Sequence, residues 1–221
     1  MPDSTIVTLD GPAGVGKTTL AKRLAEHLGL AYLDTGAMFR ATACALGQDS
    51  WTWPEEKLRQ ALSGLHFTLS GAGAASILAV NGASLTEAIR TETVAMWASN
   101  LAALPVVREF QKIAQQDIGQ GSSLVAEGRD MGTVIFPTAR CKFFLDATPE
   151  ERGRRRFLQL EAQGQPADLA GIIEQIRARD LQDRTRATAP LVPAVDAVLI
   201  DTTSLDQDQV FAAMVQALNQ G

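Results

Sequence analysis

The chain has 221 residues, long enough for one well-packed core with a small inserted or appended unit. Hydrophobic residues make up 46% and charged residues 20%, an ordinary globular balance, and the 5% aromatic content leaves the core mainly to aliphatic side chains. A net charge of −5 argues against a nucleic-acid-binding face and against an anionic membrane surface, although it leaves room for a local basic pocket.

The elements begin with a β-branched strand, Ser4–Asp10, and a helical run, Lys17–Leu28. A second strand, Leu30–Leu33, and a helix, Ala37–Leu46, follow. The middle departs from this rhythm. Leu65–Leu69 and Ser76–Val80 are predicted strands around the turn-prone Ser70–Gly73, and helices are predicted over Thr86–Asn100 and Pro105–Gln116. Alternation then resumes. Ser122–Glu127 and Cys141–Asp146 are near-continuous apolar runs, as buried parallel strands require. Helices are predicted over Pro149–Gln163 and Leu169–Arg186, joined by a polar Gly/Pro-containing hinge at Gln163–Ala167. Ala194–Ile200 is a fifth strand and Asp206–Leu218 a closing helix. The expected fold is a three-layer α/β/α P-loop domain with a five-stranded parallel sheet. Its core comprises residues 1–62 and 101–221, with an inserted element at 63–100 and a helical lid at about 150–188.

Cys44 and Cys141 have no metal-ligand spacing and lie among apolar neighbours, so both are expected to be small core residues. With two histidines, His27 and His66, a zinc site is not expected. The N-terminus lacks a basic, then apolar, leader pattern, and no apolar stretch reaches membrane-spanning length. The expected setting is cytoplasmic and reducing.

Gly11-Pro12-Ala13-Gly14-Val15-Gly16-Lys17-Thr18 fits G-x-x-x-x-G-K-[ST], between a predicted strand and a predicted helix. Glycines let backbone N–H groups turn toward phosphate oxygens, and the following helix adds its positive end. Lys17 is placed to reach the β- and γ-phosphates of a nucleoside triphosphate, and Thr18 is a candidate Mg²⁺ ligand. None of the lysines sits in a guanine-selecting N/T-K-x-D segment. The strand after the insertion ends in Glu127, where a motor or transporter ATPase would usually carry Asp. Small-molecule kinases remain the natural class, with a nucleotide-dependent switch or binding module as the alternative of a different kind.

Fifteen of the 20 basic residues are arginine, the side chain suited to bidentate contact with phosphate, and eight of them lie between 152 and 186. Compositional bias accounts for such a count as readily as function does, so placement decides. Arg179, Asp183 and Arg186 fall at i, i+4 and i+7, one face of a helix. With the Arg152–Arg156 run one element earlier, they suit a flap closing over phosphates. Glu127-Gly128-Arg129-Asp130 and Asp34-Thr35-Gly36 with Arg40 both follow predicted strands, and ligands sit at the carboxyl ends of strands in open parallel sheets. Lys17, Arg40 and Arg129 are thereby carried to one crevice, enough to hold two phosphorylated ligands.

Five segments in order, DGPAGVGKTT, YLDTGAMFRA, EGRDMGTVIFP, FFLDATPEER and RDLQDRTRATAPLVPA, cover nearly the whole chain and resemble bacterial-type cytidylate kinases. The resemblance implies transfer of the γ-phosphoryl group of ATP to CMP or dCMP, with Mg²⁺; a monomer is expected because no exposed apolar helix face stands out in the sequence. It also implies roles for residues. Ser99, Arg108 and Asp130 would read the cytosine ring, and Arg179 and Asp183 would hold the sugar. Arg40, Arg129 and Arg186 would clamp the acceptor phosphate, beside Thr35 and Phe39. Gly11 to Thr19 would hold ATP, and Arg152 and its neighbours would belong to the lid, with Arg155 and Arg156 near ATP. Lys17, Arg129, Arg155 and Arg186 would serve catalysis. Three positions depart from the common family pattern: Phe39 where Tyr is frequent, Glu127 where Asp is frequent, and Thr18 where Gly often follows the lysine. A UMP or AMP kinase is the alternative within the class.

Overall fold

A computed structural model of the chain describes residues 4–220. The ends of the expected core segments, at 1–3 and 221, lie outside the described residues.

Five strands form the main sheet: β1 (Ile6–Asp10), β2 (Ala31–Asp34), β6 (Leu124–Gly128), β7 (Cys141–Asp146) and β8 (Val198–Asp201). Their order is β2-β6-β1-β7-β8, and every pairing is parallel. Parallel pairing needs crossover connections, and these are supplied by helices. The helices are α1 (Lys17–Leu28), α2 (Thr35–Leu46), α3 (Glu55–Leu62), α4 (Glu92–Leu101), α5 (Pro105–Gly121), α6 (Pro149–Ala162), α7 (Leu169–Thr185) and α8 (Gln207–Leu218).

The sheet is covered on both faces, and strand alternation assigns side chains to each. Val7, Leu9, Tyr32, Val125, Phe143 and Leu145 pack with Leu20 and Leu24 of α1 and with Val210 and Met214 of α8. Their neighbours Ala31, Leu33, Leu124 and Ala126 face the other way, against Met38 of α2, Ile118 of α5, and Met131 and Ile135. A third cluster joins α2, α3, α4 and α5 through Ala43, Leu58, Leu62, Leu101 and Val107. Strands β3 (Phe67–Ser70), β4 (Ile77–Val80) and β5 (Ala83–Ser84) make a separate three-stranded antiparallel sheet.

The five-stranded parallel α/β architecture is as expected, with local differences. The expected helix Thr86–Asn100 is broken into a 3-10 turn, Glu87–Arg90, and α4. Each piece has its own threonine cap: Thr86 accepts from Ala88 N–H, and Thr91 accepts from Val94 N–H. Helix α2 starts at Thr35 rather than Ala37 because the Asp34 carboxylate caps it through Ala37 N–H. Strand β8 starts at Val198 rather than Ala194, after a turn in which Ala197 N–H donates to Ala194 O. Helix α3 and strand β5 were not expected.

The cysteine expectation is corrected in part. Cys44 is exposed, because α2 buries Ala41, Thr42 and Ala43 and turns the next residue outward; Cys141 is half-buried against the sheet core. Among the described residues, no helix is long and apolar enough to cross a membrane.

Candidate active site

The carboxyl ends of β1, β2 and β6 lie side by side, with Asp10 registered on Gly128 and Asp34 on Glu127. The loop after β1 is a tight cradle. Gly11 has φ 149°, and a Cβ there would sit 2.2 Å from Leu145 O, so only glycine fits. Gly16 caps α1 in the left-handed region with φ 93°, and Lys17 is the first residue of the helix. Val15 is buried in the core and anchors the loop, while Gly14 and Thr19 are exposed. Lys17 is buried, and its Nζ donates to Gly11 O and Pro12 O at 2.7 Å each. Burial and then Arg129 hold its pKa well below the usual lysine range, against the pull of Glu127 and Asp10.

Opposite the cradle, four arginines meet. Arg129, just after β6, donates from Nε to Asp183 Oδ2 at 2.9 Å. Arg186, immediately past the end of α7, donates to Asp183 Oδ1 at 3.2 Å and to Ala189 O at 2.7 Å. Arg40 of α2 and Arg179 of α7 complete the group, and all four line one cleft of about 740 Å³ with the phosphate loop. Asp183 is the one carboxylate within this set. Burial raises its pKa, but the Arg129, Arg179 and Arg186 guanidiniums outweigh burial and hold it below the usual carboxylate range. The cluster remains electrostatically unbalanced. Burial, then Arg129, lowers Arg179 to about 10 despite Asp183. Arg40 Nε, Arg179 Nε and Arg186 Nη2 are buried without a hydrogen-bond partner among the described residues. Buried donors of this kind are normally satisfied, so these three mark an excess of guanidinium over carboxylate in the cleft wall.

Beside this cluster, Arg108 and Asp130 form a buried ion pair at 2.5 Å, with Arg186 Nη2 at 3.8 Å from the other carboxylate oxygen. The Arg108 guanidinium lies over the Phe39 ring at 5.8 Å. Thr35 Oγ1 donates to Glu127 O at 2.7 Å, tying the ends of β2 and β6 together. Glu127 is buried and accepts from the Tyr32 hydroxyl; burial, then Asp34, raises its pKa.

The cleft therefore gathers Ala13, Gly14, Gly16, Lys17, Thr18, Thr19, Thr35, Phe39, Arg40, Ser99, Arg108, Arg129, Asp130, Arg155, Arg156, Arg179, Asp183 and Arg186. Gly11, Pro12 and Val15 shape the loop from behind and do not line the cleft. Some of these side chains are engaged elsewhere. Arg155 donates to the Thr202 carbonyl at 2.5 Å and to Glu151, Arg156 pairs with Glu92 across the cleft at 2.5 Å, and Ser99 Oγ donates to Gln182 of α7 at 3.2 Å. Arg152 does not face the cleft. It is 1% exposed, pairs with Asp180 through both terminal nitrogens, and donates to Ala13 O at 3.1 Å behind the phosphate loop.

Two groups escaped sequence reasoning: Arg90, which lines the cleft, and Tyr32, which is buried against Glu127 and does not line it. Arg90 reaches from the turn before α4 to Asp34 at 3.0 Å, a contact 56 residues apart that no local pattern announces. Tyr32 is the sole tyrosine of the chain, but its side chain reads from sequence as one more apolar strand position.

A glycine-rich loop with Lys17 at the end of β1, facing buried and unbalanced guanidiniums across one cleft, is the arrangement of a P-loop phosphotransferase. The chain belongs to the cytidylate kinase family, whose model matches residues 7–220. A cytidylate kinase of Maridesulfovibrio salexigens is 65% identical over 210 residues, covering 95% of this chain and 94% of that protein. One of Oleidesulfovibrio alaskensis is 59% identical over 218 residues, covering 99% and 100%. Among solved structures, an uncharacterized protein of Eubacterium ventriosum superposes with a TM-score of 0.52 at 12% identity, covering 99% of each chain, a likeness of fold alone.

Proposed function

We propose that the chain transfers the γ-phosphoryl group of ATP to CMP and dCMP, giving ADP and the corresponding diphosphate. The observation that carries this reading is the cluster of Arg40, Arg129, Arg179 and Arg186 around Asp183, lining one cleft with the phosphate loop. In it, Arg40, Arg129 and Arg186 clamp the acceptor phosphate, and Arg179 and Asp183 hold the sugar. Arg108, Asp130 and Ser99 read the base, whose edge suits a donor–acceptor pair such as Arg108–Asp130. The loop from Gly11 to Thr19 receives the ATP phosphates, and Lys17 exchanges its two carbonyl partners for phosphate oxygens.

The acceptor is a phosphate oxygen already anionic near neutral pH, so no general base is required. Catalysis then rests on alignment and on charge stabilisation by Lys17 and the arginines. Mg²⁺ would neutralise charge on the nucleotide phosphates. No cluster of three His, Cys, Asp or Glu suited to a metal exists among the described residues, which fits an ion carried mainly by phosphate and held by one or two side chains, Thr18 and Glu127.

Residues 150–188 would act as the lid and 63–100 as the monophosphate-binding element. Arg155 and Arg156 would turn to ATP as the lid closes. The exposed Arg156–Glu92 pair is an easily exchanged partner, since such pairs contribute at most about 1 kcal/mol. The acidic net charge supports action on small molecules rather than nucleic acid or an anionic membrane surface, in a cytoplasmic setting and as a monomer. A coupled ADP-release assay across CMP, dCMP, UMP, AMP and GMP tests the reading. CMP and dCMP should be turned over fastest. Preference for UMP or AMP would replace the acceptor, and nucleotide binding without transfer to any monophosphate would favour a binding module.

A further inference from the structure

The turn after β6 carries Arg129 and Asp130 into the cleft, and its stability raises a question of hydrogen-bond supply. Met131–Ile135 forms a π-helical turn with Asp130 at its N-cap. The N–H groups of Met131 and Gly132 stand at the start of that turn, where no intrahelical acceptor exists, and both residues are buried. An aspartate at the N-cap would ordinarily satisfy such donors with its own side chain. Asp130 does not, because its carboxylate is turned away to Arg108 at 2.5 Å.

The missing acceptor comes from 121 residues earlier in the chain. Asp10 Oδ1 accepts from Met131 N–H at 2.9 Å, and Asp10 Oδ2 accepts from Gly132 N–H at 2.8 Å. Asp10 is the last residue of β1 and directly precedes Gly11 of the phosphate loop. It is registered on Gly128, so the carboxylate needs only to cross to the adjacent strand end. The turn leaves little slack. A Cβ at Gly128 would meet Met131 Cγ and Cε at 2.8 Å and Thr35 Oγ1 at 2.9 Å, and one at Gly132 would meet Thr8 Oγ1 at 3.1 Å.

We propose that Asp10 is a positioning residue that caps the Met131–Ile135 turn in place of Asp130, releasing the Asp130 carboxylate to hold Arg108 and face the acceptor nucleotide. One side chain thereby couples the donor loop to the acceptor-reading turn. Charge-assisted acceptance of two backbone N–H groups is strong enough to keep a buried carboxylate there, although burial lifts Asp10 to about 6. Removing it would leave two buried donors unpaired, and Asp130, the N-cap residue of the same turn, is the acceptor placed to turn back to them.

The inference rests on the kinase reading above, so wild-type turnover of CMP is measured alongside. Its absence would remove that reading without bearing on Asp10. In Asp10→Asn, one carboxylate acceptor becomes an NH₂ group facing an N–H. We expect the CMP dissociation constant and the KM for CMP to rise about tenfold, while the ATP dissociation constant changes less than about threefold. In an Asp130→Asn background the same substitution should change CMP affinity less than about twofold, because its target is already gone. Asp10→Glu keeps both oxygens one methylene further out, and serves if Asp10→Asn does not fold; CMP affinity should again fall ahead of ATP affinity. Equal losses for CMP and ATP, additive effects with Asp130→Asn, unchanged CMP affinity in a folded variant, or failure of both variants to fold would each overturn the assignment.

Discussion

The two sides of the cleft are built on different principles. The side proposed to receive ATP is one continuous stretch, Gly11 to Thr19, made of backbone N–H groups, glycine conformations and a helix start, with a single cationic side chain, Lys17. The side proposed to hold the acceptor is scattered across the chain: Arg40 from α2, Arg129 after β6, and Arg179 and Arg186 from α7 and its end. Its donors are guanidiniums, held by shared carboxylates such as Asp183 and Asp130. A backbone site is pre-organised by its own fold, whereas a side-chain site depends on neighbours that pin each rotamer. The donor side should therefore fail through its one lysine, and the acceptor side through loss of any clamp member.

The largest effect is expected at Lys17. Its Nζ already sits over the loop, 2.7 Å from Gly11 O and Pro12 O, so Lys17→Ala removes the one cationic side chain of that loop. Turnover should fall about 1,000-fold while CMP binding is retained, which steady-state rates and calorimetry check separately. Next comes Arg152, which joins the two sides through Ala13 O on the loop and Asp180 on α7. Arg152→Ala leaves Asp180 without its partner. Urea denaturation should show about 3 kcal/mol of lost stability, and the KM values for ATP and CMP should rise together. A change confined to one substrate would break the link between the halves. Smallest is Arg156→Ala, which removes an exposed pair with Glu92. Stability should stay within about 0.5 kcal/mol of the parent, with any kinetic effect on ATP rather than CMP.

The same contrast explains how much was legible in the sequence. The phosphate loop is contiguous and flanked by a strand and a helix, so its residues and their partner chemistry were readable together. β1, β2, β6 and β7 were readable because both their faces are buried and the runs are apolar, whereas edge strand β8 exposes Val198 and Leu199 and its start was misplaced. Arg179, Asp183 and Arg186 were readable because helical spacing sets one face, although α7 ends at Thr185 and Arg186 reaches the cleft from just beyond it. Partner choice was not readable. That Arg152 would be buried behind the loop, or Arg155 engaged by Thr202, depends on how α6 packs between elements far apart in sequence. Cys44 shows the same limit on a small scale, since apolar neighbours do not specify which face of a helix a residue occupies.

The assignment of separate donor and acceptor sides is tested most directly by calorimetric titration of folded Arg129→Ala and Arg186→Ala proteins with ATP and with CMP. Both variants should keep ATP affinity within about threefold of the parent while CMP affinity and kcat/KM for CMP fall about 100-fold or more. Near-normal CMP binding and turnover in both, or an equal loss of ATP and CMP, would contradict it.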